Sequence, residues 1–149
     1  MTEEIAGAVE GHLFAGELAP ADRQTLMRRV AGLARRFHDA GFVHKDFYLG
    51  HILVVAAAPE PELFLIDLQR VVKPCCFRQR WLVKDLAAMA YSSLRAGATR
   101  TDLMRFGLEY FQQPRLGSAE KRMARQVARR VAWLATRRPK HDGDFDPGI

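Results

Sequence analysis

Two aspartates and a histidine between residues 46 and 67 have the types and the order that phosphoryl transfer needs. One carboxylate must take up the proton of the attacking hydroxyl, and a second must hold a Mg²⁺ ion that bridges the nucleotide phosphates. Asp46 suits the first position, and Asp67, at the end of an apolar segment, suits the second. His51, five residues after Asp46, takes the place of a second metal-facing group.

The order of these residues resembles the protein-kinase pattern, in which H-R-D-x-x-x-x-N precedes a strand-ending aspartate. Here His44-Lys45-Asp46 replaces His-Arg-Asp, and His51 replaces the asparagine. Taken singly, Asp46 and Asp67 are better explained as turn and strand-end residues. His44 is equally well explained as a packed histidine bonded to backbone. The combination in this order favours a site.

The elements that must position these residues are mostly helical. Apolar residues at helical spacing predict four helices, over 20–40, 78–96, 101–112 and 118–138. Two apolar segments, 52–55 and 63–68, flank turn residues at 59–62 and predict a β-hairpin. The expected fold is therefore mainly α (α+β), with a small β-hairpin carrying the catalytic and metal-binding loops.

Two details concern helix starts and cysteines. Thr101 and Asp102 suit the capped start of the third predicted helix. Cys75 and Cys76 are adjacent and have no other cysteine to pair with, so we expect reduced, partly buried thiols rather than a disulfide or a zinc site.

The composition predicts one folded domain. The chain has 149 residues, of which 48% are hydrophobic and 27% charged, which excludes a disordered chain. The longest apolar run, residues 52–58, is far shorter than the roughly 20 residues of a membrane span. The acidic start lacks the features of a secretory signal.

The positive charge is concentrated in one segment. Residues 115–140 hold nine basic residues and one acid, a charge of +8, so the rest of the +6 chain sums to −2. This segment is expected to face an anionic partner or to be a solvated helix face. Nucleic acid is the less favoured partner, because Trp133 is the one aromatic residue in the arginine-rich helix.

Three segments together resemble the lipopolysaccharide kinase family of bacteria: HDAGFVHKDFYLGHILV, LFLIDLQRV and RWLVKDLAAMAYSS. The resemblance covers about residues 20–113. The family pattern has a tyrosine two residues after the aspartate and a histidine in place of the asparagine, which Tyr48 and His51 match. Further matches are Ile-Asp-Leu-x-Arg at 66–70 and Trp-x-x-Lys-Asp-Leu at 81–86.

This resemblance implies a protein-kinase-like fold that moves the γ-phosphate of ATP, with Mg²⁺, to a heptose or Kdo sugar of the lipopolysaccharide inner core. It implies a cytoplasmic enzyme, peripheral at the inner face of the bacterial inner membrane. The basic helix over 118–138 would then contact the anionic membrane surface. There are two alternatives. One is a kinase of the same fold that acts on another small molecule, such as an aminoglycoside or choline, and the other is a non-catalytic binding module.

The resemblance also assigns roles to single residues. Asp46 would be the catalytic base, with His44 and Lys45 beside it in the loop. Asp67 would hold the magnesium ion, and His51 would face metal or phosphate, although imidazole is a poor ligand for Mg²⁺.

Two further residues, Asp85 and Arg70, each have two alternative roles. Asp85 would brace the catalytic loop through backbone N–H groups, or would be a solvated helix aspartate paired with Lys84 or a neighbouring arginine. Arg70 would approach phosphate or cap the hairpin. Lys45 replaces the usual arginine, and an ammonium group lacks the guanidinium fork.

The nucleotide clamp of kinases has no counterpart in this sequence. Only 43 residues precede His44, and they contain no G-x-G-x-x-G pattern and no lysine. We therefore expect a truncated chain without the N-terminal lobe. Its expected parts are a hinge-proximal segment (1–19), a kinase-like C-terminal lobe (20–138) and a flexible acidic tail (139–149), with an exposed apolar face where the small lobe would sit.

Overall fold

The structure, a computed structural model, describes residues 5–56 and 59–137. Its strands are β1 (Ala8–Glu10), β2 (Ile52–Val55) and β3 (Glu62–Leu65). Its α-helices are α1 (Gly11–Glu17), α2 (Pro20–Asp39), α3 (Arg78–Arg95), α4 (Arg100–Phe111) and α5 (Ser118–Ala135). The described chain is thus mostly helical, with one small sheet.

The sheet has three antiparallel strands in the order β1-β2-β3, not the two of the predicted hairpin. The β2-β3 pair is confirmed, with Ile52 opposite Leu65, and β1 adds Ala8 opposite Val55. Since β1 has only three residues and no apolar alternation, its sequence gives no strand signal. The second strand ends at Leu65 rather than at residue 68, because a 3₁₀ turn occupies Leu68–Arg70.

The four predicted helices are present within a few residues of their expected bounds. Pro20 stands in the first turn of α2, where its missing N–H costs nothing, and Leu26, Val30 and Ala34 form its buried stripe. The cap of α4 is Thr99 and not Thr101: its side chain accepts from the backbone N–H of Asp102.

The core lies where α2, α3 and α4 meet the segment before β2. Phe47 and Leu49 of that segment, and Ile52 and Val54 of β2, are fully buried in the cluster that also holds Met89 of α3. The segment that holds the candidate residues is therefore anchored by its own apolar side chains.

Helix α5 packs on α3 and has no fully buried residue. It ends at Ala135, and residue 138 and the predicted tail 139–149 lie outside the described residues. In the described part of the chain, none of the helices has the length and apolar character needed to cross a membrane.

Two surface predictions have different outcomes. Cys75 and Cys76 are free thiols, but they are exposed rather than partly buried, because they lie in the irregular segment before α3. The predicted apolar face stays a prediction; Val9, Leu13 and Leu68 are among the large apolar residues that are exposed.

Candidate active site

The 44–51 loop connects α2 to β2 and is fixed at both ends. A backbone pair between Val43 and Val72 holds its start. Near its end, the N–H of Leu49 donates to Ser92 Oγ of α3 at 2.8 Å. Polar side chains can therefore point outward from a loop whose backbone is held in place.

Asp85 of α3 holds the start of this loop. It is fully buried, and its carboxylate accepts from the backbone N–H of His44 at 2.6 Å and of Lys45 at 2.9 Å. Lys45 has a φ of 69°, a left-handed conformation that costs free energy in a residue with a Cβ atom. Two charge-assisted hydrogen bonds offset this strain. Asp85 is therefore not a solvated helix aspartate.

His38 and Tyr110 extend the contacts of Asp85, and sequence reasoning missed both. His38 Nε2 lies 3.3 Å from Asp85 Oδ2, and His38 Nδ1 lies 2.8 Å from the hydroxyl of Tyr110. Because a carboxylate only accepts, Nε2–H donates to Asp85 and the Tyr110 hydroxyl donates to Nδ1. Burial raises the pKa of Tyr110 to about 12, which keeps its hydroxyl proton in place.

Asp46 lies at the surface of the loop, and its side chain is 29% exposed. Its carboxylate is paired with Arg70 through Oδ2 and Nη2 at 2.7 Å. Arg70 is thus brought to the predicted base. The pair leaves Oδ1 of Asp46 as the oxygen that can take a proton.

His51 turns back onto Asp46. Its Nδ1 lies 2.7 Å from the backbone carbonyl of Asp46. Because a carbonyl only accepts, Nδ1 carries the proton and Nε2 has the lone pair. That tautomer suits a group that faces metal or phosphate.

Asp67 is tied to the same loop through its neighbour Ile66. The buried ring of His44 donates from Nε2 to the Ile66 carbonyl at 2.8 Å, and the Ile66 N–H donates to the His51 carbonyl at 2.9 Å. Asp67 itself has a φ of 57° and accepts from Gln69 at Oδ1 over 2.7 Å. The structure thus brings the segments of Asp46, His51 and Asp67 together, with His44 buried between them.

The donor set suits a magnesium ion that is shared with a nucleotide. The described residues include no group of three or more histidine, cysteine or acidic side chains that could hold a metal by themselves. Mg²⁺ is usually bound through one or two carboxylates plus substrate phosphates and water, so such a group is not required. Asp67 fits the carboxylate role through Oδ2, which its contact with Gln69 does not use.

The family follows from a match over most of the chain. The sequence profile of the family described as "Lipopolysaccharide kinase (Kdo/WaaP) family" matches residues 1–110. This chain belongs to the Kdo/WaaP lipopolysaccharide kinase family. The resemblance drawn from the sequence is thereby confirmed.

The curated relatives that match this chain share one name. This chain is 32% identical over 149 residues to the "Lipopolysaccharide core heptose(I) kinase WaaP" of Pseudomonas aeruginosa, and the match covers 94% of this chain and 54% of the relative. It is 34% identical over 123 residues to the protein of that name from Escherichia coli K12, covering 76% and 46%. The chain spans about half the length of the curated relatives it matches.

A solved structure described as "WaaP in complex with acyl carrier protein" is similar to this family member in fold. The TM-score is 0.71 at 31% sequence identity, over 89% of this chain and 57% of that chain. The likeness shows that the helical arrangement described above is that of a kinase-like protein.

Proposed function

We propose that this chain is the catalytic part of an ATP-dependent kinase that phosphorylates a hydroxyl of heptose or Kdo in the lipopolysaccharide inner core. The observation that carries the proposal is the pair of hydrogen bonds at Ile66, which ties Asp67 to the loop of Asp46 and His51. Membership of the Kdo/WaaP family supports the sugar acceptor.

Asp46 is the proposed base of the reaction. Its Oδ1 would take the proton of the sugar hydroxyl, while the contact of Oδ2 with Arg70 fixes the direction of the carboxylate. A positioned general base accounts for about 10²–10⁴ in rate. His44 and Asp85 are positioning residues, since both are fully buried and act through the loop backbone.

Asp67 and His51 are the proposed residues for ATP and Mg²⁺. Asp67 would hold the ion through its carboxylate, and His51 would face phosphate or metal through Nε2. A Mg²⁺ ion on the nucleotide would neutralise charge that otherwise repels the attacking hydroxyl.

Residues 20–138 are the proposed C-terminal lobe of a kinase. Residues 1–19 stay the proposed hinge-proximal segment. Within its described part, β1 pairs with β2, and a Cβ atom on Gly11 would come within 2.7 Å of the carbonyl of Leu49. The described part of the N-terminal segment is therefore assigned to the same structural unit as the proposed C-terminal lobe.

Acceptor-dependent transfer is the test of this function. The complete protein carrying this sequence is incubated with Mg²⁺-ATP and deacylated inner-core oligosaccharide, and new phosphomonoester is detected by ³¹P NMR. We expect phosphate on heptose or Kdo with the wild type and at least about 100-fold less with Asp46→Asn. Asp22→Asn, an exposed aspartate in the first turn of α2, is the matched control and should stay active. ATP turnover without acceptor dependence, or transfer to choline or an aminoglycoside alone, would overturn the sugar assignment.

The partner proposed for α5 is an anionic membrane surface at the cytoplasmic side. Its outer face holds the exposed basic residues Lys121, Arg122, Arg125 and Arg129. Trp133 is 39% exposed, with the guanidinium groups of Arg130 and Arg137 within 4.5 Å of its ring. A half-exposed tryptophan among cations is typical of helices that lie at a membrane interface. A protein partner, such as the acyl carrier protein in the solved WaaP complex, is the alternative.

A further inference from the structure

A groove runs between the first half of α3 and the middle of α5. It has a volume of about 720 Å³, within the range of small-ligand sites. Its lining consists of Phe77, Gln79, Arg80, Trp81, Val83, Lys84, Gln126 and Arg130. Three of these residues are cations and none is an acid, so the groove suits an anionic ligand.

The groove reaches the 44–51 loop through Trp81. Lys45 Nζ lies 5.7 Å from the centre of the Trp81 ring, and Lys84 Nζ lies 5.4 Å from it. Because Trp81 is one helical turn before Asp85, the residue that holds the loop, a ligand over this ring would be adjacent to the loop of Asp46. Trp81 and Lys84 both belong to the Trp-x-x-Lys-Asp-Leu segment, of which only Asp85 has so far been given a role.

Phe77 is a second, independent sign of a binding role. It is 78% exposed, and its φ of 53° is a left-handed conformation that is unfavourable for a bulky residue. An apolar ring in water and a strained backbone both cost free energy, and such strain concentrates at ligand sites. Phe77 also precedes an α3 whose first turn has no acid and no side-chain cap, an end that favours anions.

We propose that this groove is the subsite for the acidic saccharide portion of the acceptor, with Phe77 and Trp81 against the C–H face of a sugar ring and Lys84 and Arg80 on its carboxylate or phosphate. The inference rests on the proposed function, which supplies the sugar acceptor. Aromatic rings offer apolar area to such faces, and charge-assisted hydrogen bonds select an anion.

Binding is measured first, by the fluorescence of Trp81 in a Trp133→Phe background, so that Trp81 is the one tryptophan left among these 149 residues. The probes are free Kdo for a carboxylate, glucose 6-phosphate for a phosphate, glucose, and inorganic phosphate. A saturable change in Trp81 fluorescence with either acidic sugar, and a much weaker change with glucose and with inorganic phosphate, supports the subsite. The acidic sugar that binds more tightly shows whether the groove prefers a carboxylate or a phosphate. An equal response to glucose overturns it.

The second measurement separates the two proposals. Lys84→Met keeps the aliphatic stem and should raise both the dissociation constant of the acidic sugar and the acceptor KM about tenfold, with kcat and the KM for ATP nearly unchanged. Lys73→Met, an exposed lysine outside the groove lining, is the matched control. Equal acceptor KM values for the two variants overturn the subsite and leave the kinase intact. If the wild type transfers no phosphate, the kinase fails, and the fluorescence titration still decides the groove.

Discussion

At the residue scale, the carboxylate of Asp46 is held by a single charged contact. Arg70 binds Oδ2 at 2.7 Å, and both side chains are partly exposed. An exposed pair of this kind contributes little to stability. We therefore attribute to Arg70 the direction of the carboxylate rather than the stability of the fold.

Arg70→Gln should lower kcat about tenfold and leave the KM for ATP unchanged. Without Arg70 the Asp46 carboxylate is no longer held in one orientation, and it loses part of its contribution to the rate as a general base. Steady-state kinetics with varied ATP and acceptor measure this split. An increase in the KM for ATP with kcat intact would show instead that Arg70 contacts phosphate. Arg115→Gln, an exposed arginine before α5, is the control.

Tyr110→Phe should destabilise the fold by about 1–3 kcal/mol, because it leaves the buried Nδ1 of His38 without a donor. Chemical denaturation at pH 8 measures the free energy of unfolding. Tyr91→Phe, which removes a half-buried hydroxyl 3.2 Å from Arg95, should cost less. Equal losses would contradict the His38 contact.

The same tyrosine makes stability depend on pH. Burial raises the pKa of Tyr110 from 10.0 to about 12, so the folded state favours the neutral phenol. Its contribution is complete below pH 10 and is lost as the pH rises towards 12. This part of the alkaline decrease should be absent in Tyr110→Phe.

At the element scale, the position of a helix cap differs from its prediction. The sequence predicts a capped start of α4 at Thr101 and Asp102, directly before the apolar stripe. The structure uses Thr99, since Asp102 then bonds back to the Thr99 N–H at 2.8 Å in a reciprocal capping box. Burial raises the pKa of Asp102, but the Thr99 hydrogen bonds and Arg23 outweigh it and hold the pKa below its ordinary value.

Thr99→Ala should cost about 0.5–2 kcal/mol of stability, while Thr101→Ala should stay within about 0.5 kcal/mol. Thermal or chemical denaturation of the two variants gives the comparison, because the substitutions are identical and lie two residues apart. A larger loss for Thr101→Ala would contradict the cap.

Local sequence patterns predict most of the elements but not all of the site. The apolar stripes of α2 to α5 and the β2–β3 pair are visible because their periods extend over whole elements. Strand β1 is too short for such a period. Asp85 belongs to the local Trp-x-x-Lys-Asp-Leu motif and could be found from the sequence. His38 and Tyr110 are 72 residues apart and come into contact only through the packing of α2 against α4.

At the scale of the whole molecule, the candidate site and helix α5 differ in charge. The candidate site contains both acids and bases, whereas the exposed charged residues of α5 are all basic. Long-range attraction from such a face acts at low salt and is screened within about 10 Å at 0.1 M salt.

The protein should sediment with vesicles that contain anionic phospholipid and not with neutral phosphatidylcholine vesicles. Reversing charge in Arg125→Glu/Arg129→Glu should abolish this binding, and raised salt should weaken it. Equal binding by the double variant would contradict the membrane surface. Capture of acyl carrier protein by the wild type without vesicle binding would favour the protein partner.

Asp46 and Asp67 are proposed to have different tasks in one phosphotransfer site. Single-turnover transfer with each variant of the complete protein, at varied Mg²⁺-ATP, is the most direct test. We expect Asp46→Asn to retain Mg²⁺-dependent ATP binding and to lose the transfer step, and Asp67→Asn to lose the Mg²⁺-dependent ATP affinity itself. Wild-type transfer by either variant would contradict the claim.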